Sequence, residues 1–230
     1  VTARVTINRY NYQDLDNVAR LLLEDVGLST FGTNEAYPCG ATNRYEDGIR
    51  LSPEQRSIVM RKLVELNERY NGRINATAGP LVYAQEFKMI DEAMAQGITS
   101  MPGRGALTSC GGVFSTIAVL HDGTVVPCHV VHTLRMGNIQ TDDFAQLWRD
   151  HETMKVMRQR REIPLGRLES CKDCHYQGFC TGGCPGGAVM AGQGLEARNP
   201  FDCYRILRGE RPEFVMPEPN VIQVGEIKNV

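Results

Sequence analysis

Eight cysteines occur in the 230 residues, and five of them, Cys171, Cys174, Cys180, Cys184 and Cys203, fall within 33 positions. Cys110 and Cys128 precede that group, and Cys39 stands apart. Three chemistries compete for such a set. Disulfides suit compact secreted scaffolds, which are shorter than this chain. Structural zinc takes four ligands per ion in tetrahedral array. Iron–sulfur clusters are also held by thiolates. Cys171-x2-Cys174 is a tight turn that aims two sulfurs at one centre; Cys180 follows after five residues and Cys184 after three more. Zinc modules return to a second C-x2-C or an H-x3-5-H pair, and this run does neither. Glycines crowd the thiols: Gly111 and Gly112 after Cys110, Gly182 and Gly183 before Cys184, Gly186 and Gly187 after it. Bare backbone approaches a bulky inorganic cluster closely and gives N–H groups to its sulfur. The spacing favours iron–sulfur, with zinc as the second reading. Loops of this kind fold and bind metal as one event.

The elements that position these thiols fall into two styles. Up to about residue 97 the chain reads as three βα units. A strand at 2–8 leads to a helix at 14–26 with Leu15, Val18, Ala19, Leu22 and Val26 on one face and Gly27 as its C-terminal cap. A second strand, at 28–33, ends in a loop holding Pro38 and Gly40. Ser52-Pro53-Glu54-Gln55 is a helix start, and that helix runs to about Tyr70. A third strand at 73–78 precedes a helix ending near Gln96-Gly97. Strand–helix alternation predicts a parallel sheet flanked by helices. Beyond Gly97, 115–120 and 124–127 flank His121-Asp122-Gly123, a hairpin-turn signal. A helix from about Asp142 carries Phe144, Leu147 and Trp148 as core residues, and Arg158, Arg160 and Arg161 read as its solvated, basic end. Residues 211–230, with Pro212, Pro217 and Pro219, read as an extended tail.

Composition excludes several classes. Hydrophobic residues make up 42% and charged residues 23%, an ordinary globular balance. Lys+Arg total 25 and Asp+Glu 27, a formal net charge of −2 that offers no broad field to DNA or RNA. No stretch approaches the roughly 18 apolar residues that span a bilayer. The reading is of a cytoplasmic protein with no nucleic-acid or membrane partner. Val1 opens inside a strand-like alternation, which reads as a chain with an upstream part absent from this sequence.

Cys110, twelve residues, Gly123, four residues and Cys128, then Cys171-x2-Cys174-x5-Cys180-x3-Cys184 and finally Cys203, resembles the seven-cysteine signature of the SPASM domain. That domain is the C-terminal extension of many radical S-adenosylmethionine (radical SAM) enzymes. His121 to Cys128 (HDGTVVPC), Met136-Gly137-Asn138-Ile139 and Cys180-Thr181-Gly182-Gly183-Cys184-Pro185 agree with it. The resemblance implies an α/β chain: the second half of a partial (β/α)6 barrel at 1–104, an irregular α+β SPASM domain of hairpin, helix and cysteine-rich loops at 105–210, and the tail.

It also implies two auxiliary [4Fe–4S] clusters. Cys171, Cys174, Cys180 and Cys203 would hold the distal one; Cys110, Cys128 and Cys184 would hold the one nearer the active site. Seven thiols leave that near cluster one ligand short, to be met by an open iron, a non-Cys ligand or Cys39. The C-x3-C-x2-C triplet of the SAM-cleaving cluster does not occur in this sequence. The intact parent would carry it as a third [4Fe–4S] cluster, together with SAM. It would modify a peptide or protein substrate, as a maturase of ribosomally made peptides, through a 5′-deoxyadenosyl radical. Flavodoxin or ferredoxin would serve as electron donor. Strand ends in parallel βα sheets bind ligands, which makes Thr6, Asn8, Asn34, Glu35, Thr77 and Gly79 candidate SAM contacts. His129, next to Cys128, is a candidate base or iron ligand, and His175 lies within the cluster loop. The competing functions are a non-catalytic iron–sulfur electron carrier or scaffold and a zinc-stabilised interaction module.

Overall fold

The computed structural model describes residues 1–37 and 49–212. Cys39, and the tail beyond residue 212, lie outside the described residues. The first part is βαβαβα: β1 (Ala3–Ile7), α1 (Leu15–Arg20) extended by a π-helical turn (Leu21–Asp25), β2 (Phe31–Glu35), α2 (Pro53–Arg69), β3 (Ile74–Ala76) and α3 (Pro80–Ala95). The strands form a parallel sheet in the order β1-β2-β3, with Ala3 opposite Phe31 and Phe31 opposite Ile74. Sequence periodicity dictates this much. Leu15, Ala19 and Leu23 recur every fourth residue, and Val59, Leu63 and Leu66 share one face of α2; all are buried with Ile7, Phe31, Ile74 and Leu81. Burying a side chain such as Leu63 stabilises by about 1.5–3 kcal/mol.

The ends of these helices follow the expected chemistry. The Ser52 hydroxyl accepts from the Gln55 amide at 3.2 Å, and the Gln55 side chain accepts from the Ser52 amide at 3.0 Å. Gly97 follows α3 with φ +76°, and Ile98 N–H returns to Ala93 O at 3.0 Å, closing the last turn as a residue with a Cβ would do less readily. The second strand lies three residues later than the expected 28–33. Leu28 N–H is engaged with Leu22 O at the end of the first helix, so extension begins at Phe31. Asn34 and Glu35, poor strand formers, are held extended by pairing with Thr6 and Ile7.

The second part contains α4 (Gly112–Ser115), β4 (Ala118–Val119), β5 (Thr124–Val126), β6 (Gly137–Asn138), α5 (Phe144–Asp150), α6 (Glu152–Gln159), α7 (Pro185–Met190) and α8 (Tyr204–Leu207). The Asp-Gly turn forms: Leu120 N–H donates to Thr124 O at 2.8 Å. The strand expected from 115 begins only at Ala118. Residues 112–115 instead form a helical turn, because Val113 is drawn into the core beside Val125 and Met154. β6 is a third strand not anticipated from the sequence.

The single helix expected from Asp142 is two. At His151 the backbone is extended (ψ 134°), and its imidazole Nδ1 accepts from Thr153 N–H as the cap of α6. Phe144 is exposed rather than core, while Leu147 and Trp148 pack at the edge of the Val113–Met154 cluster. The basic run is a solvated end only in part. Arg161 is exposed, its guanidinium 5.3 Å from the ring centre of the exposed Phe114, but Arg160 is fully buried and Arg158 donates to Trp148 O and Val113 O. No described helix is long and apolar enough to cross a membrane.

Candidate metal centres

Two groups of thiols are brought together by the tertiary fold. The segment before Cys110 runs beside the cysteine loop: Gly105 N–H donates to Cys180 O at 2.9 Å and Thr108 N–H to Thr181 O at 2.8 Å. Two successive glycines, Gly182 and Gly183, both at φ +71°, let the chain double back between Cys180 and Cys184. A Cβ on Gly183 would run into Asp202.

Cys171, Cys174, Cys180 and Cys203 line one cavity, together with Arg198, Asp202 and Tyr204. The C-x2-C turn is closed by Cys174 N–H to Cys171 O at 3.1 Å, and the Gln177 side chain donates to the same carbonyl. Cys203 caps α8. Gly182 N–H donates to Cys180 Sγ at 3.2 Å. Burial pushes the Cys180 thiol up to about 12 and also raises Cys171.

Cys184 lies near Cys110, and the turn that follows Cys128 packs on the helix that begins at Cys184. Cys128 precedes the 3-10 turn His129–Val131, and Cys184 caps α7. Gly186 on α7 lies against Val130 and Val131, which fastens the two caps side by side. Burial pushes Cys184 up to about 11, with Asp202 and Cys110 adding to the rise and N–H donors from Gly187 and Gly186 opposing it. Gly112 N–H donates to Cys110 Sγ at 3.4 Å. Cys110 itself is a non-glycine residue at φ +66°, a left-handed conformation that costs about 1–3 kcal/mol and persists only where the surroundings enforce it. The expectation that glycine backbone hands N–H groups to sulfur holds at Cys110, Cys180 and Cys184.

All seven described cysteines are free thiols, so disulfide pairing is set aside for them. Among the described residues, no three His, Cys, Asp or Glu side chains converge as ligands of one metal ion. The donor set fits a larger thiolate-bound group: sulfurs arranged around a cavity, N–H donors aimed at them, and one buried cation, Arg160, facing Cys184 and Cys110.

Asp202 joins the two groups and escaped the sequence reading; adjacency to Cys203 was its only signal. Its carboxylate accepts from Cys184 N–H at 3.1 Å, from Tyr83 OH at 2.6 Å and from Asn199 Nδ2 at 2.5 Å. Asn199 Nδ2 also lies 2.6 Å from Tyr37 OH. Tyr83 is raised well above the ordinary phenol value, by burial first and then by the Asp202 charge. Tyr37 and Tyr83 come from the first part of the chain, so this network ties the βα layer to both thiol groups.

The candidate SAM contacts cluster less completely. Thr6, Asn34 and Glu35 sit at one end of the sheet, and Gly79, at φ +89°, packs on the Asn34–Glu35 backbone. Asn34 Oδ1 is buried without a partner, which suits a polar ligand at the strand ends. Glu35 is held by Arg56 through paired contacts of 2.7–3.1 Å. Asn8 is taken up by a turn, donating to Thr6 O and accepting from Tyr10 N–H. Thr77 is exposed. His129 is also exposed, its Nδ1 3.8 Å from Cys128 Sγ. His175 stacks on Tyr176 and pairs with Glu210 at 3.4 Å.

No curated protein matches the chain. Residues 110–175 match the SPASM family, described as an iron–sulfur cluster-binding domain. The match takes in Cys110, Cys128, Cys171 and Cys174 and ends before Cys180. Among solved structures, native anSMEcpe with bound AdoMet is 18% identical with a TM-score of 0.51, over 85% of this chain and 50% of that one. The same protein with AdoMet and the Cp18Cys peptide is 17% identical with a TM-score of 0.53, over 90% of this chain and 53% of that one. This chain thus spans about half the length of the structures it matches. Residues 110–175 thus match the SPASM iron–sulfur cluster-binding domain, on a chain that shares its fold with part of the AdoMet-bound anSMEcpe structure.

Proposed function

We propose that this chain supplies the auxiliary-cluster portion of a radical SAM enzyme that modifies a peptide or protein, with two [4Fe–4S] clusters. The carrying observation is that Cys171, Cys174, Cys180 and Cys203 line one cavity, with Cys184 and Cys110 near one another outside it and N–H donors at Cys110 and Cys180. Cys171, Cys174, Cys180 and Cys203 hold the distal cluster, and Cys110, Cys128 and Cys184 the near one. Bound there, such clusters supply one-electron acceptance at a potential set by hydrogen bonds to sulfur and by burial. The chain's own residues arrange that environment. Gly112 and Gly182 donate N–H groups to sulfur, and Asp202 fixes the Cys184 backbone.

In this reading residues 1–104 are the second half of a partial barrel, and residues 105–210 the cluster domain. Asn34, with Thr6, Asn8, Glu35, Thr77 and Gly79, borders the SAM site. His129 is placed to take a proton from substrate beside Cys128. The substrate is a peptide of the kind seen with anSMEcpe, and a maturase of ribosomally made peptides is the specific form proposed. A reduced flavodoxin or ferredoxin supplies electrons, in the cytoplasm.

Anaerobic reconstitution with iron and sulfide tests the reading. We expect a brown protein with about eight irons per chain, as two four-iron clusters require. Cys174→Ala and Cys128→Ala should each remove about half the iron, and the double variant nearly all of it. Zinc retained in place of iron, or a colourless protein, overturns the reading.

A further inference from the structure

The basic run at 158–161 holds a side chain that nothing above employs. Arg160 is completely buried, and it heads the largest fully buried side chains of the protein. Its Nε donates to Thr108 O at 2.7 Å and its Nη1 to Leu195 O, but Nη2 is buried with no partner. No carboxylate among the described residues pairs with it; the charges it faces belong to Cys184 and Cys110. Burial lowers its pKa to about 10, which still leaves the guanidinium charged at neutral pH. A buried cation without a counter-charge is strongly disfavoured, and a guanidinium cannot escape by losing its proton as lysine can.

The missing negative charge would come from the thiols that the guanidinium faces. As thiolates around iron, Cys110, Cys128 and Cys184 would each carry one negative charge. Thr108 and Leu195, which hold the guanidinium, flank Cys110 and follow α7, so Arg160 is fixed to the walls of the three-thiol group. The distal cavity also meets Arg198, Arg205 and Arg211; each is partly exposed, so solvent reaches part of its charge, although Arg198 Nη1 is itself buried without a partner.

We propose that Arg160 is the buried counter-charge of the near cluster, holding its reduction potential above the value the same thiols would give alone. The proposal rests on the two-cluster reading. When the near cluster takes up one electron from a reductant it gains one negative charge, and a fixed cation stabilises that state over the oxidised one. Arg160 is a positioning and tuning residue; it need touch no substrate.

The test is an anaerobic titration of the reconstituted full chain with dithionite, followed by electron paramagnetic resonance, with the distal cluster as internal reference. In Arg160→Gln the one-electron reduction equilibrium of the near cluster should fall at least tenfold, a shift of about 59 mV to lower potential. The distal cluster should stay within about twofold. Arg160→Lys, which keeps the charge, should restore most of the shift. An unchanged near-cluster potential in Arg160→Gln overturns the proposal and leaves the two-cluster reading standing. Absence of iron from the unsubstituted chain overturns both. Should Arg160→Gln fail to fold or to hold iron, Arg160→Lys decides: iron retained at the near site supports a need for charge, and iron lost assigns Arg160 a packing role.

Discussion

Between β1 and α3 the interior is mainly one hydrocarbon cluster: Ile7, Leu15, Leu23, Phe31, Val59, Leu63, Leu66 and Ile74 pack against a parallel sheet, with Thr33 and Arg56 buried beside them. Between Ser109 and Leu207 the interior is divided. One patch packs Val113, Val125, Met154 and Met157, another packs Leu107 and Leu165 on Cys171, and polar groups such as Arg160 and Asn199 are buried between them. The regular elements there are short, and much of the backbone is joined by turns whose ends are cysteines. The first region buries one guanidinium, Arg56, and pairs it with the Glu35 carboxylate. The second leaves thiols and the Arg160 guanidinium inside the protein, the guanidinium with no paired carboxylate among the described residues, and needs something else to compensate them. The seam between the regions is apolar and polar at once: Phe87 and Ile90 of α3 pack on Tyr176, Phe179 and Tyr204, while Tyr83 reaches Asp202.

The comparison predicts opposite responses to metal. Omitting iron during anaerobic folding should have the largest effect: hydrogen exchange across residues 166–184 should approach that of an unfolded chain, while α2 stays protected. Equal protection in both regions with and without iron would break the contrast. Leu63→Ala should act the other way. It should destabilise the protein by about 2–5 kcal/mol in urea melts, yet leave the iron bound per folded chain unchanged. Tyr83→Phe tests the seam. It removes a donor from a half-buried carboxylate, so a loss of about 1–3 kcal/mol is expected, with a shift in the spectroscopic signature of the cluster held by Cys184. Ser52→Ala, confined to the capping box of α2, should be the mildest, at about 1 kcal/mol with no change in that signature.

The βα layer was legible because its signals are local. Ser52, Pro53 and Gln55 lie within four residues, Gly27 and Gly97 follow the helices they end, and Leu15, Ala19 and Leu23 repeat at the helical period. The second strand slipped because Leu28, a good strand former, is claimed by the preceding helix, while Asn34 and Glu35 are made extended by β1. In the other region the Asp-Gly turn was legible for the same reason. His151 as a helix cap was not, since imidazole seldom takes that role. The basic run was misread at Arg158 and Arg160 because helix-end charge ordinarily faces water, and nothing near Arg160 in sequence announces Thr108 or Leu195 as its partners.

What the sequence alone determined is the inventory and its spacing: seven thiols in a SPASM pattern, with glycines beside them. Local spacing decides that, because a turn of two or three residues aims its sulfurs however the rest of the chain lies. The tertiary structure decided the sorting. It placed Cys203 with Cys171 around one cavity, set Cys184 near Cys110, and closed Asp202 onto Tyr83 across 119 residues. It also took Arg160 out of water. Burial and facing charge are properties of packed neighbours distant in the chain, and no run of adjacent residues encodes them.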